Sequence, residues 1–437
     1  MKWAKCSGAF AILLLGCAAL SASGRKGPDN VPPVPAQRIA LESLGLTGTP
    51  TAGLLRTRAA IATLDFIDTD HVLLTFAIRP LLTREQDDTP LPDAVGRARE
   101  DRVVRAEIVD LRSGDIGAQQ DWRLYDRDWY LLALGNGEFL LRRGARLSVL
   151  DARDGHFAAR PFADSKQAVV YGQASGGVLV LEFEHEAHTA EQHAKMAHDA
   201  KLFDARPPVE QANAFGWKLP LEQPADHSLF HILLPEAERL AANDVGLLGV
   251  DGGADKFELF FRPYSDAAKG RVQIRRLRSD CRPAARFLRQ DIALISICKN
   301  GEPWDEAVKI EGKDSKQIWQ HAIAGGLPDF QTSEDGRRFV VQTLGADTGP
   351  GEEKSQPGQV QVFDVDTGAR VLATVLEPVY APDRIAALSH DAMRLAVLRK
   401  GALEIYDLPP VASAPPAMKT MDSTDAIDAI DAPKKKK

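Results

Sequence analysis

The sequence predicts an all-β protein: a β-propeller of about seven four-stranded blades in a single domain, closed by a strand from the start of the chain. Three observations carry this. A short β-rich run ending in Asp recurs along the chain, its spacing near both ends is that of one blade, and apolar residues alternate along the runs. The clearest copy is QVFDVDTGARV (361–371). AEIVDLRSGDI (106–116) and LSVLDARDGHF (147–157) share with it a Gly four residues after the Asp, giving the pairs Asp110 and Gly114, Asp151 and Gly155, Asp364 and Gly368. LEIYDL (403–408) ends in Asp407 without the Gly, and VKIEGKDSKQI (308–318) is a weak echo with Glu311 in the Asp position.

Each copy has a physical reading as a hairpin. Val360 and Val362, or Val104, Ala106 and Ile108, alternate as in a strand with a buried face. The Asp accepts hydrogen bonds from turn amides, and the Gly supplies a positive φ. Asp110 and Asp151 lie 41 residues apart, and Asp364 and Asp407 lie 43 apart, within the roughly 40 to 45 residues of a four-stranded blade. The competing architecture is a β-sandwich whose hairpins share this turn chemistry.

Taken in order, residues 1–23 read as a secretory signal peptide, with Lys2 and Lys5, an apolar run over 9–15 and then small residues. That run is shorter than the roughly 20 residues of a spanning helix. Two processing routes fit: cleavage after Ser21 or Ser23, or a bacterial lipobox at LLGC (14–17) in which Cys17 carries a lipid anchor. Residues 24–58 hold a Pro-rich tether, GRKGPDNVPPVPAQ, and a closing strand expected within 36–46. The propeller is expected over 59–409. Its first blade is IATLDFID, HVLLTFAI, VVRAEIVDL and IGAQQDWRL, and its second YLLALGN, GEFLLRR, RLSVLDAR and HFAARPF. AVVYGQ and GVLVLEFE open a third. Between about 201 and 280 strands are credible but blade boundaries are not fixed. RQDIALISIC, EAVKIEG and QIWQHAIA follow, then FQTSEDGRRFVVQTL, QVQVFDVD and RVLATVL, then RIAALSHDAMRLAVL and LEIYDL. That leaves the last blade one strand short. Residues 410–437, alternating small and acidic before four lysines, read as a disordered tail.

SEDGRRFVVQTL followed by VFDVDTGARV resembles a repeat of the tryptophan-aspartate-repeat and quinoprotein-like propellers. Over 59–408 the chain is similar to a family of exported bacterial propellers with no assigned activity. The resemblance implies a fold and no function. No repeat ends in the Trp-Asp pair, and Trp122, Trp217 and Trp319 read as packing residues on later strands.

The formal charge of −7, or −9 without Lys2 and Lys5, with basic residues scattered, does not suggest a nucleic-acid binder, and no nucleic-acid partner is expected. Of four cysteines, Cys6 and Cys17 fall in the leader. Cys281 and Cys298 are expected to form a disulfide between neighbouring strands flanking a turn around Pro283. HEAHTAEQH (185–193) lacks both zincin spacings, since Thr189 and Gln192 stand where His is needed; with His198 the four histidines of one helix point in different directions. There is no Cys-x-x-Cys-His haem motif, no adjacent cysteine pair, no Gly-rich phosphate loop, and YGQASGG around Ser175 only imitates a nucleophile elbow. No catalytic residue, metal or cofactor is therefore assigned. The expected function is a non-catalytic binding or scaffold propeller of the cell envelope, with membrane contact only through the lipid route. The alternative is an envelope enzyme, a quinoprotein-like oxidoreductase or hydrolase, using the ring as a frame. The partner is expected to be an envelope or extracellular protein docking on the face that carries the long insertions 82–101, 185–213 and 345–358.

Overall fold

Each recurrent Asp-ended run is the third strand of a four-stranded antiparallel sheet, and there are seven such sheets. The structure is a computed structural model describing residues 33–46, 62–78, 101–125, 129–143, 146–164, 169–172, 178–184, 211–219, 230–235, 239–265, 271–311, 314–322, 329–343, 358–376, 385–399 and 401–411. The chain opens with β1 (Gln37–Ala40). Blade one is β2 (Ala62–Phe66), β3 (His71–Ala77), β4 (Asp101–Asp110) and β5 (Ile116–Tyr125). Blade two is β6 (Trp129–Gly135), β7 (Glu138–Arg143), β8 (Arg146–Asp151) and β9 (Ala158–Asp164). Blade three is β10 (Val169–Gly172), β11 (Val178–Glu184), β12 (Gln211–Leu219) and β13 (Phe230–Pro235). Blade four is β14 (Arg239–Ala242), β15 (Gly246–Gly253), β16 (Lys256–Pro263) and β17 (Val272–Arg278). Blade five is β18 (Ala284–Arg289), β19 (Ile292–Lys299), β20 (Glu302–Glu311) and β21 (Asp314–Ala322). Blade six is β22 (Asp329–Thr332), β23 (Arg338–Thr343), β24 (Gln359–Asp364) and β25 (Arg370–Val375). Blade seven is β26 (Ala386–Leu388), β27 (Arg394–Arg399) and β28 (Ala402–Asp407), completed by β1.

The closing strand falls inside the expected window. β1 pairs antiparallel with β28, Gln37 opposite Ile405 through Ala40 opposite Ala402, so the unpaired edge that β28 would otherwise present is covered. The sequence reading missed two strands. RLAA in β14 and AARFLR in β18 are short and rich in Ala and Arg, with no β-branched residue to mark a strand; in β18 Ala285 and Phe287 are buried and Arg286 is exposed. As a result Cys281 lies in the connection between blades four and five, not on a strand neighbouring that of Cys298.

Blade packs against blade around the ring, through apolar clusters at six of the seven joints described. Trp122, Phe139 and Phe157 join blades one and two; Leu140, Leu147, Val178 and Val180 join two and three. β10 touches β14 between blades three and four. Leu248, Leu259 and Ile295 join four and five; Trp319, Phe339 and Phe363 join five and six. One cluster runs through blades six, seven and one, including Val362, Leu403 and Leu64. Each large apolar side chain so buried contributes on the order of 1.5–3 kcal/mol. The tryptophans lie at these joints: Trp122 meets Phe157 edge-on at 6.0 Å, Trp217 meets Phe162 at 6.3 Å, and Trp319 stacks on Phe339 while its Nε1 donates to the Val365 carbonyl at 2.8 Å.

The Asp-x-x-x-Gly turns link third to fourth strands. Asp110 Oδ1 accepts from the Arg112 amide (2.7 Å), Asp151 Oδ1 from that of Arg153 (3.0 Å), and Asp364 Oδ1 from that of Thr367 (2.9 Å). Gly114, Gly155 and Gly368 have φ of +80°, +70° and +66°, which L side chains resist. Asp407 ends β28, where no fourth strand follows and the role passes to β1.

Candidate functional site

Antiparallel order within each blade fixes two faces of the ring. Turns joining first to second and third to fourth strands emerge on one face; links joining second to third strands, and blade to blade, emerge on the other. The first strands, β2, β6, β10, β14, β18, β22 and β26, line the central channel, so side chains in and after them decide what it can admit.

On the short-turn face the channel is crossed by two layers of polar contacts. In the upper layer Gln331 on β22 donates from Nε2 to Asp65 Oδ1 on β2 (3.5 Å) and accepts at Oε1 from the Leu388 amide on β26 (3.4 Å). A blade-six side chain therefore reaches past blade seven to blade one. The lower layer grows from a repeated turn. Ser333 Oγ donates to Asp335 Oδ1 (2.7 Å) and accepts from the Arg338 amide (3.1 Å); Ser389 Oγ donates to Asp391 Oδ1 (2.6 Å) and accepts from the Arg394 amide (2.9 Å). The residue after each Ser is aimed at the channel, Glu334 in one case and His390 in the other.

His390 Nδ1 stands 3.0 Å from Glu334 Oε2, and Nε2 stands 3.3 Å from the Phe66 carbonyl at the end of β2. With an acceptor at each ring nitrogen, the doubly protonated ring is favoured. The hydrogen bond to Glu334 accordingly raises the His390 pKa, against the opposing effect of burial, and Asp68 assists from the β2–β3 turn. The same bond holds the Glu334 carboxyl below its ordinary range. Glu334 also accepts from the backbone N–H of Asn136 in the β6–β7 turn. The fit there is close: a Cβ on Gly135 would stand 2.9 Å from Glu334 Oε1. Blades six and two are three-sevenths of the ring apart, nearly opposite, so Glu334 spans the channel mouth.

Among the described residues, the hydroxyls adjoining this Glu–His pair, Ser333 and Ser389, are committed to their own turns. The pair is a brace across four blades. Among the described residues no group of three or more His, Cys, Asp or Glu is placed to hold a metal ion. Nor, among them, is any helix long and apolar enough to cross a membrane.

On the opposite face lies the disulfide between Cys281 and Cys298, with Cα atoms 5.4 Å apart. It ties the connection between blades four and five to the end of β19. Buried Ser279 reinforces it, donating from Oγ to the Cys281 carbonyl (2.6 Å) and accepting from the Cys298 amide (2.9 Å). The same face carries the links β3–β4, β11–β12 and β23–β24, in which the three long insertions fall. Residues 82–100, 185–210 and 345–357, the histidines of 185–198, Ser175 and Cys17 lie outside the described residues.

Of the residues assigned from sequence, the structure brings Cys281 and Cys298 together and places the Asp and Gly residues on separate turns. Gln331, Glu334 and His390 were missed. Their signal is the repeat Ser-x-Asp-Gly-x-Arg over 333–338 and Ser-x-Asp-Ala-x-Arg over 389–394. Also missed were two buried acids with unpartnered oxygens. Asp305 on β20 is raised above its ordinary range by burial, against a hydrogen bond from Ser296, and its Oδ2 has no partner; the other is Glu107 on β4.

Neither a family model nor a curated protein matches the sequence. Solved structures to which the chain is similar include TolB from Acinetobacter baumannii (10% identity, 71% of this chain and 77% of that one, TM-score 0.35). They also include the uncomplexed acylaminoacyl peptidase of Pyrococcus horikoshii (10%, 81% and 53%, TM-score 0.48) and Kluyveromyces lactis Hsv2 (8%, 64% and 75%, TM-score 0.36). This chain spans about half of the peptidase chain. The chain is a β-propeller by its sheet order and blade-to-blade packing, and no activity is taken from these likenesses.

Proposed function

We propose that this protein is a non-catalytic binding or scaffold propeller of the bacterial cell envelope, and that it engages a protein partner through the face carrying the three long insertions. The observation that carries the reading is the asymmetry of the two faces. Insertions 82–101, 185–213 and 345–358 share the second-to-third position, while the channel mouth on the other face is crossed by Gln331, Glu334 and His390. Among the described residues the polar contacts that cross the channel lie on the short-turn face, which favours a partner on the face of the insertions. Together these insertions hold fourteen acidic and seven basic residues, which favours a partner with a basic surface. Export is supported by the leader sequence and by a disulfide between the two mature cysteines.

The test is partner capture from envelope extract by the mature protein, with each insertion shortened to a tight turn and folding checked by circular dichroism. Loss of capture on shortening one or more insertions is expected. Capture unchanged by all three shortenings overturns the proposal. Fractionation of Cys17→Ser then separates the processing routes: release from the membrane marks a lipid anchor, and no change marks ordinary cleavage.

A further inference from the structure

Glu107 occupies a position where a carboxyl group is costly. It lies on the third strand of blade one at 0% exposure, and neither carboxylate oxygen has a hydrogen-bond partner. Its cross-strand neighbours are Leu74 and Gln119. The turn that follows the closing strand packs over it. There the Leu44 and Leu46 amides both donate to the Leu41 carbonyl (3.1 and 3.0 Å), and Leu44 is fully buried. Gly45, at φ +69°, comes nearest: a Cβ on it would stand 3.9 Å from Glu107 Oε1 and 3.7 Å from Arg105 Nη1.

The charged groups facing the site do not neutralise Glu107. Arg105, two residues away on the same strand, donates from Nε and Nη2 to the two carboxylate oxygens of Asp121 on β5 (2.9 and 3.2 Å). Arg105 attracts and Asp121 repels, so the two act against each other at Glu107. Glu42 in the overlying turn is exposed. Burial therefore dominates and pushes the carboxyl up to about 7.

We propose that Glu107 is a proton-controlled catch on ring closure: protonated, it lets the turn 41–46 seal over blade one and hold β1 on β28; ionised, it drives that turn open and frees β1. A neutral acid tolerates a dry site far better than a carboxylate with no hydrogen bond. Opening the turn admits water to the charge, and among the described residues β1 has β28 as its single strand neighbour. The sign follows from linkage. A carboxyl whose folded pKa is raised stabilises the closed state fully below its ordinary range near 4.5, and that contribution is lost as pH rises to about 7.

Hydrogen exchange resolved to residues 37–46, expressed as protection so that intrinsic exchange is divided out, tests this. In the wild type, protection of these amides should fall by roughly tenfold per pH unit between about pH 5 and 7 and level off above. In Glu107→Gln the profile should be flat. Glu107→Leu serves the same purpose should the Gln variant fail to fold. A flat wild-type profile, or a profile that survives removal of the carboxyl, overturns the proposal.

Discussion

Two joints of the ring are secured in contrasting ways. Between blades four and five the chain is continuous, and the joint carries a covalent tie, Cys281 to Cys298, and a part-buried ion pair in which Arg275 Nη2 donates to Glu306 Oε2 at 3.1 Å. Around blade seven the two ends of the ring meet, and among the described residues no cysteine lies in that blade. There the work is divided among a four-residue strand, the Glu334–His390 brace, Arg394 donating to the Thr69 carbonyl at 2.9 Å, and Arg338. The contrast teaches that closure rests on many directional contacts, whose partners the repeated Ser-x-Asp-x-x-Arg turn does not name, whereas the covalent joint is visible in two letters. It also predicts that the closure should respond to pH and to single polar substitutions, and the covalent joint to reductant.

Arg338 should give the largest effect. It is 2% exposed, and its guanidinium donates to the Ala392 carbonyl at 2.7 Å and to that of Pro409, fastening blade six to the β26–β27 turn of blade seven and to the chain after β28. Burial lowers its pKa, and Nε has no partner, so the site already tolerates an imperfectly solvated cation. Arg338→Ala removes two charged hydrogen bonds and leaves two carbonyls unpaired, a loss of about 3–5 kcal/mol in urea unfolding. Arg338→Lys, with a single donor head, should recover only part. If Arg338→Ala unfolds at the wild-type urea concentration, closure does not depend on this fastening.

How much of this was legible varies with the kind of signal. Blades one, two and six could be read because their third strands alternate apolar residues and end in Asp before a positive-φ Gly, two local signals that agree, and blade seven because its third strand alternates and ends in Asp407. Blade four could not, since β14 is four residues long and Arg275 and Arg276 interrupt β17, where Arg275 is held by a partner from another blade. Cys281 was paired correctly but placed wrongly, because β18 between the cysteines alternates Ala, Arg and Phe rather than β-branched residues. The brace was illegible for a deeper reason. Glu334 and Asn136 are far apart in sequence, and only the ring's closure brings their turns face to face across the channel.

The covalent joint should come next. Replacing both cysteines, Cys281→Ser with Cys298→Ser, frees a loop with a sequence separation of 17 and should cost about 3 kcal/mol in the chain-entropy account. Ser279 should hold part of the local geometry, since its bonds run to backbone atoms of both positions. Hydrogen exchange should rise around 279–299 while 37–46 keeps its protection. Equal loss at both places would mean that the two joints open together and the contrast between them is false.

The smallest effect, and the one that discriminates best, is expected at the Glu334–His390 brace. Glu334→Gln keeps a neutral hydrogen-bond acceptor for His390 and for the Asn136 amide but removes the charge, so it should cost about 1 kcal/mol near pH 6. The pH dependence has two limbs. The Glu334 pKa is lowered, so its contribution is present above the ordinary glutamate range and is lost as pH falls through the folded value. The His390 pKa is raised, so its contribution is present below the ordinary histidine range near 6.5 and is lost as pH rises through the folded value. The coupling between Glu334→Gln and His390→Asn in a double-mutant cycle should therefore be greatest between these limits and shrink on either side. The Glu107 catch changes with pH on its own account, but it is common to all four proteins of the cycle and drops out of the coupling. A coupling that does not vary from pH 5 to 8.5 would show that the two side chains meet without sharing a proton-dependent bond, and the mouth of the channel would then be held by Gln331 and Asp65 instead.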